Sequence, residues 1–309
     1  MRVVFLGSGS FAIPSLEALL DAGHDVAAVV TQPDREKGRG RSLAPPPLKP
    51  VAAARGLKIL QPRRVREAES VAALRALAPD VQVVVAYGQI LPRSVIDIAA
   101  RGTVNVHASL LPLYRGAAPV QWAIVNGEVE TGVTTMLIDE GLDTGPLLLA
   151  EATAIGEEET ADALESRLAV MGGRLLVRTL SGLEQGALLP KPQDSTRATL
   201  APLIKKEDGL IDWRQPAPAL ARRVRGFHPW PGTHTSLRGH GLRVLRAQVD
   251  GGEGAPPGTL IRVGRDGLVV ACGDGTALRL VTVQPESRTP MPAAAFAAGA
   301  RLTPGERLG

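Results

Sequence analysis

Along the first half of the chain, apolar and polar positions fall into blocks that read as strand, turn, helix and strand again. Residues 2–6 form an apolar strand, and Gly7-Ser8-Gly9-Ser10-Phe11-Ala12 turns it into a helix. Pro14 falls near the first turn of that helix, where proline is tolerated, and Leu16, Leu19 and Leu20 form its buried stripe. Val26–Val30 reads as a second strand and Leu57–Leu60 as a third. A helix is predicted over 67–77, with Val71, Leu74 and Leu77 on one face. Val81–Ala86 is a fourth strand, and Gly102-Thr103-Val104 opens a fifth that Pro112 ends. Strands alternating with helices imply right-handed crossovers and an α/β domain. Its sheet should be open, mostly parallel, doubly wound and Rossmann-like, with its site at the carboxyl ends of the strands.

The second half changes character. A long helix is predicted over 161–183, preceded by Glu157-Glu158-Glu159-Thr160, whose charge suits the positive end of a helix. Residues 187–207, rich in Pro, Gln, Asp, Ser and Lys, read as a linker. Beyond it, a helix near 216–225 precedes short strands around 233–238, 241–249, 258–263, 268–272 and 277–283, separated by Gly-rich turns. That spacing predicts a small β-barrel, so the expected division is a catalytic domain at 1–186, a linker at 187–207 and a barrel at 208–309. Barrels of this kind commonly bind nucleic acid.

Length, composition and charge add five constraints. A chain of 309 residues favours two domains. With 44% hydrophobic and 21% charged residues it reads as soluble, and with 3% aromatics its cores must rest on aliphatic side chains. One cysteine, Cys272, forms no intramolecular disulfide and suits a reducing cytoplasm. No apolar run is long enough for a membrane span, Met1-Arg2 leads straight into a strand rather than a signal peptide, and no metal-ligand spacing is present, so no metal is expected. The net charge is +4, yet residues 209–309 hold 13 Arg, no Lys and 7 acids, which leaves +6 there and −2 elsewhere. A basic small domain beside a near-neutral one suits a phosphate-backbone partner, although abundant Ala, Gly, Pro and Arg also point to a coding bias.

Candidate chemistry centres on Asn105-Val106-His107-Ala108-Ser109-Leu110-Leu111-Pro112, with Asp143 downstream in the turn-rich Asp139-Glu140-Gly141-Leu142-Asp143-Thr144-Gly145. Residues two apart on a strand share a face, so Asn105 and His107 can converge on one atom if Val106 turns into the core. An Asn and a protonated His can both donate to a developing oxyanion, while a carboxylate orients the ring. No Ser, Cys or Lys stands beside them as an activated nucleophile. The set therefore fits direct acyl transfer to an external amine rather than a covalent acyl-enzyme. Each residue has a bland alternative, as turn former or structural histidine. A second alternative is nicotinamide binding through Gly7-Ser8-Gly9-Ser10-Phe11-Ala12, but no acid ends the second strand as that site requires.

Asn105–Pro112, Arg115-Gly116-Ala117-Ala118-Pro119 and Gly141-Leu142-Asp143-Thr144-Gly145 together resemble the folate-dependent formyltransferases. Thr31–Arg35, Lys37-Gly38-Arg39-Gly40-Arg41, Val85-Ala86-Tyr87-Gly88, Ile211-Asp212-Trp213 and Pro229-Trp230-Pro231 extend the likeness to the tRNA-specific members. The resemblance implies an OB-like C-terminal barrel and formyl transfer from 10-formyltetrahydrofolate to the amino group of methionyl initiator tRNA. It implies Asn105, His107 and Asp143 as catalytic residues, and folate resting against Ser109, Leu110, Leu111, Pro112, Tyr87, Gly88, Ile90 and Asp139. It implies Lys37, Arg39 and Arg41 as contacts to the tRNA acceptor stem, with Lys206 also placed on the tRNA, and a monomer. Two residues depart from the family's pattern: Leu113 stands where a basic residue is usual, and Tyr114 where Trp is frequent. A small-molecule formyltransferase or formylfolate hydrolase would not need the basic loop, and a non-catalytic tRNA-binding protein would not need the Asn–His–Asp set.

Overall fold

Val3–Leu6 are fully buried, which suits only a strand covered on both faces, and β1 (Arg2–Gly7) runs through the middle of a seven-stranded sheet. The computed structural model describes residues 1–37, 42–252 and 254–309. After β1, α1 (Ile13–Asp21) buries Leu16 and Leu19, with Pro14 in its first turn. β2 (Asp25–Val30) follows, and β3 (Arg35–Lys37) pairs antiparallel with β4 (Ser42–Ala44). Next come α2 (Leu48–Ala54), β5 (Ile59–Leu60), α3 (Ala68–Arg75), β6 (Val81–Val85), α4 (Arg93–Ile96), β7 (Thr103–His107) and the short β8 (Arg115–Gly116). Beyond α5 (Pro119–Asn126) lie β9 (Glu130–Leu137), β10 (Leu147–Ala154) and the long α6 (Ala161–Glu184).

The sheet order is β10-β9-β7-β6-β1-β2-β5. The five strands from β7 to β5 are parallel, as expected, whereas β9 runs antiparallel to β7 and β10 antiparallel to β9. Strand order reverses between β1 and β6, so the crevice of the sheet opens at the carboxyl ends of these strands and of β7. Gly7 is a packing residue there, since a Cβ on it would lie 2.9 Å from the Ala12 Cβ. This is the bland reading of the Gly7–Ala12 turn. α6 covers the face toward which Val106 points. Leu168, Leu175, Leu176 and Leu180 are fully buried, and a Cβ on Gly172 would lie 2.9 Å from Val106 Cγ1. With Val106 turned inward, strand alternation puts Asn105 and His107 together on the opposite face.

The chain divides into two compact units, and the division is not linear. One comprises Met1–Gly116, Glu130–Ala154 and Glu165–Ala201, and the other Ala117–Val129, Ile155–Leu164 and Pro202–Gly309. Residues 187–201, expected as linker, lie within the sheet unit. Lys191 and Leu147 exchange both backbone hydrogen bonds at 2.8 Å, and β11 (Leu200–Ala201) pairs parallel with β8. Such a segment has no periodicity of its own because its hydrogen bonds go to the edges of other strands. Lys206, exposed, falls in the second unit.

In the second unit α7 (Ala217–Gly226) crosses α5 closely, since a Cβ on Gly226 would lie 2.7 Å from Val125 Cγ2. The Trp122 ring meets Phe227 edge-on with centroids 5.8 Å apart. Then come β12 (Thr233–Leu237), β13 (His240–Asp250), β14 (Leu260–Gly264), β15 (Gly267–Ala271), β16 (Ala277–Pro285), β17 (Met291–Pro292) and α8 (Ala293–Ala300). The antiparallel order is β12-β13-β16-β15-β14, with β17 on β16. Residues 305–309 lie between the free edges of β12 and β14. Leu308 N–H donates to Gly258 O at 2.8 Å, Gly309 N–H to Ser236 O at 3.0 Å, and Leu260 N–H to Glu306 O at 2.7 Å. These bonds bring the small barrel close to closure. Its core includes Leu220, Leu260, Leu268, Leu278, Leu280 and Trp213, whose Nε1–H donates to Thr235 Oγ1 at 3.1 Å. Among the described residues no helix is long and apolar enough to cross a membrane.

Candidate active site

β7 delivers Asn105 and His107 to the carboxyl edge of the sheet, in register with Met136 and Thr134 of β9. The Asn105 carboxamide is half-buried, and no hydrogen bond engages it among the described residues. His107 is only 6% exposed and is held from both sides. Its Nε2–H donates to Tyr114 O at 3.0 Å, and its Nδ1 lies 3.7 Å from Asp143 Oδ2. A carbonyl oxygen only accepts, so this contact fixes a proton on Nε2 and leaves Nδ1 as the nitrogen facing Asp143.

Asp143 is aimed by its loop. Its backbone is left-handed (φ 51°), and Oδ2 accepts from Gly116 N–H at 2.8 Å. Gly145 lets the loop fold back tightly, since a Cβ there would lie 1.8 Å from Leu137 O. Asp139 ties off the same turn, accepting from Gly141 N–H at 3.0 Å and Thr144 Oγ1–H at 2.7 Å. Tyr114 is also left-handed (φ 59°), which turns its carbonyl toward His107, and its N–H donates to Thr199 Oγ1 at 2.8 Å. Left-handed backbone at two non-glycine residues, each bonded to His107 or facing it, is strain of the kind that surrounding structure must hold in place.

The expected folate residues separate into two groups. Ile90 is 92% exposed, Gly88 is exposed, and Leu110, Pro112 and Asp139 are half-buried; Leu142, next to Asp143 and not among those expected, is 62% exposed. Three residues do not fit the expectation. The Tyr87 ring is 2% exposed and packs in the core with Val4, Leu6, Val30 and Val65; only its carbonyl reaches the crevice, where it accepts from Ser8 Oγ–H and Gln32 Nε2–H. Ser109 is 1% exposed, its hydroxyl donates to Leu113 O at 2.6 Å, and its carbonyl accepts from Thr134 Oγ1–H. It builds the loop after β7 rather than lining a pocket. Leu111 is likewise buried, with its N–H on Thr134 Oγ1. Strand-end spacing cannot distinguish a rim residue from a loop-builder. Arg39 and Arg41, and the side chain of Lys37, lie outside the described residues; β3 and β4 flank that segment, and Lys49 and Gln61 bond Asp34 just before it.

Sequence reasoning missed Gln193 and the side chain of Arg115. Arg115 is 7% exposed and, among the described residues, has no carboxylate within ion-pair distance. Its Nε–H and Nη2–H donate to Gln193 Oε1 at 3.1 and 2.7 Å. The only hint in the chain is an arginine set between apolar and glycine neighbours.

Residues 1–180 match the family model for formyl transferase, and residues 203–301 match that for the formyl transferase C-terminal domain. The chain is 56% identical to a methionyl-tRNA formyltransferase of Solibacter usitatus, over 100% of this chain and 99% of that protein. It is 50% identical to one of Geobacter sulfurreducens, over 100% and 97%. Among solved structures, HypX from Aquifex aeolicus in complex with tetrahydrofolic acid shares the fold, with a TM-score of 0.65 and 18% identity over 96% of this chain and 47% of that one. So does an N-formyltransferase from Helicobacter canadensis with folinic acid and dTDP-3-aminofucose, with a TM-score of 0.68 and 18% identity over 92% and 99%. The chain belongs to the formyl transferase family.

Proposed function

We propose that this member of the formyl transferase family is a methionyl-tRNA formyltransferase. It moves the formyl group of 10-formyltetrahydrofolate to the α-amino group of methionyl initiator tRNA. The observation that carries the chemistry is His107, held between Tyr114 O and Asp143, with an unengaged Asn105 carboxamide on the same strand face. Identity of about one half to relatives of that name, over essentially the whole chain, supports the acceptor.

An α-amino group titrates near about 7.7–8.0, and lower when its carboxyl is esterified, so the neutral nucleophile is available at pH 7 without a strong base. It attacks the formyl carbon, and the carbonyl oxygen takes up negative charge. Asn105 Nδ2–H donates to that oxygen. His107 Nδ1 donates only when the ring carries both protons, because Nε2–H is committed to Tyr114, and Asp143 supplies the countercharge for that form. One donor of this kind is worth about 2.7–4 kcal/mol, or 10²–10³ in rate. The intermediate collapses by breaking the bond from the formyl carbon to the donor nitrogen. The proton lost by the attacking amine passes to that nitrogen through Asp143 or water. The donor's flat ring system rests on the exposed apolar Ile90 and Leu142 and against Leu110, Pro112, Gly88 and Asp139. This is a largely apolar rim with few polar groups to fix orientation. Arg39 and Arg41 contact the acceptor stem, with Lys37 on its backbone, and Lys206 also meets the tRNA.

The test is direct. Incubation with 10-formyltetrahydrofolate and charged initiator tRNA should give formylmethionyl-tRNA. Asn105→Ala, His107→Ala and Asp143→Ala should each lower turnover at least about 10²-fold with tRNA affinity little changed. Near-normal turnover in His107→Ala would refute the oxyanion assignment, and formate release without an acceptor would point to a hydrolase.

A further inference from the structure

The Asp143 loop is held by a side chain from far along the sequence. Gln193 Nε2 donates to two backbone carbonyls, Asp143 O at 2.8 Å and Gly145 O at 2.7 Å, while its Oε1 accepts the two bonds from Arg115. A carboxamide has two donor hydrogens and two lone pairs, and here all four are used. The orientation is therefore unique: reversing the amide would set NH₂ against guanidinium donors and an oxygen against two carbonyls. The clamp joins the two loops that hold His107. Arg115 lies next to Tyr114, whose carbonyl takes the ring's Nε2–H, and next to Gly116, whose N–H holds Asp143 Oδ2. The same segment is secured at each end, by Lys191 on Leu147 and by Thr199 to Ala201 on Tyr114 to Gly116.

We propose that Gln193 is a positioning residue for formyl transfer: it sets the Asp143 backbone and, through Arg115, the Tyr114–Gly116 loop, and so fixes the His107–Asp143 pair. This rests on the function proposed above. It explains why an arginine is buried against an amide and not against an acid. A carboxylate at 193 would satisfy Arg115 but repel the Asp143 and Gly145 carbonyls, and would place a second negative charge beside Asp143.

Gln193→Glu separates anchoring of Arg115 from anchoring of the Asp143 loop. It keeps two acceptors for the guanidinium and removes both donors. Its melting temperature should stay within a few degrees of the parent. Its kcat should fall at least about 10-fold, since a misplacement of about 1 Å can cost 10²-fold, while KM for charged tRNA stays within about 2-fold. In an Asp143→Ala background the same change should have no further effect, because both act on one transition state. Amide hydrogen exchange should quicken in 138–147 and at Gly116. Should Gln193→Glu fail to fold, Gln193→Met, which lacks the same donors, carries the same expectations for kcat and exchange. Unchanged exchange in these segments, or an equal loss of kcat with and without Asp143, would overturn the proposal. Absence of formyl transfer by the parent protein would instead overturn the functional reading, with the exchange measurement still deciding whether Gln193 holds the loop.

Discussion

Two adjacent glycines in α6 give the sharpest test of how the sheet presents the site. In an ordinary helix interior Gly→Ala stabilises by about 1 kcal/mol, because glycine has the most backbone entropy to lose. Gly299 in α8 has nothing within 4 Å of an added Cβ, and Gly299→Ala should show that gain. At Gly173 the added Cβ would lie 2.7 Å from Pro14 O and 3.0 Å from Pro14 C, both backbone atoms of α1. Relief requires α6 and α1 to move apart, and overpacking of this kind costs about 1–3 kcal/mol beyond any helix gain. Gly173→Ala should therefore lie about 2–4 kcal/mol below Gly299→Ala, about 2–4 °C per kcal/mol in melting temperature for domains of this size. Gly172→Ala differs in kind, because its Cβ would meet Val106 Cγ1 at 2.9 Å, between Asn105 and His107 on β7. A shift of Val106 is transmitted to both donors, so turnover should fall about 10-fold or more at temperatures where the protein stays folded. Adding Val106→Ala, which deletes the clashing methyl, should recover much of that loss. The assays are urea and thermal unfolding alongside single-turnover formyl transfer. The reasoning fails if Gly173→Ala is as stable as Gly299→Ala, or if Gly172→Ala keeps full turnover.

Three further outcomes follow from buried groups. The Tyr87 hydroxyl is buried without a hydrogen-bond partner among the described residues, and burial pushes it up to about 12. Tyr87→Phe should leave turnover unchanged and stability equal or up to about 1 kcal/mol higher; a several-fold rise in KM for the folate would return the ring to the site. Burial alone would push the Asp250 carboxyl up, but hydrogen bonds from Arg279, Arg262 and Gly251 N–H outweigh it and hold it below the usual carboxylate range. A depressed carboxyl contributes stability above its unfolded value of about 3.9 and loses it as pH falls through the folded value. Barrel stability should therefore drop as pH falls below about 4, less steeply in Asp250→Asn, and parallel urea-midpoint curves would contradict this. Burial also pushes the Cys272 thiol up to about 12, so at pH 8 only roughly one in ten thousand is thiolate. Thiol reagents should label it at the rate of unfolding, and fast labelling of the native protein would count against its place in the core.

Much of the architecture was legible because burial writes itself into periodicity. The runs Val26–Val30 and Val81–Val85, and the Leu and Val stripes of α1 and α3, have one stable arrangement, and the structure shows it. The barrel strands agree with their expected ranges to within two or three residues for the same reason. The shared face of Asn105 and His107 was legible from a spacing of two on a strand. Gln193 was not, because its partners are carbonyls distant in sequence, and backbone carbonyls leave no trace in composition. The grouping of α5 with α7 was hidden too, since the close approach at Gly226 depends on a crossing that no local pattern encodes. The burial of the Tyr87 ring was hidden because a motif gives a position along the chain but not the face on which a ring lies.

The strip of residues 305–309 has a consequence for how the barrel behaves in a crowded solution. By bonding to Gly258, Leu260 and Ser236 it occupies main-chain groups that β12 and β14 would otherwise present to any passing strand. Unpaired edges of this sort are templates for intermolecular pairing. Removing five residues that touch no part of the candidate active site should leave single-turnover chemistry intact while making the protein sticky: concentration-dependent dimers, then aggregates, with new β-type pairing between neighbouring copies. Residues 305–309 thus cover both edges, and a variant lacking them should first be noticed by its lost solubility.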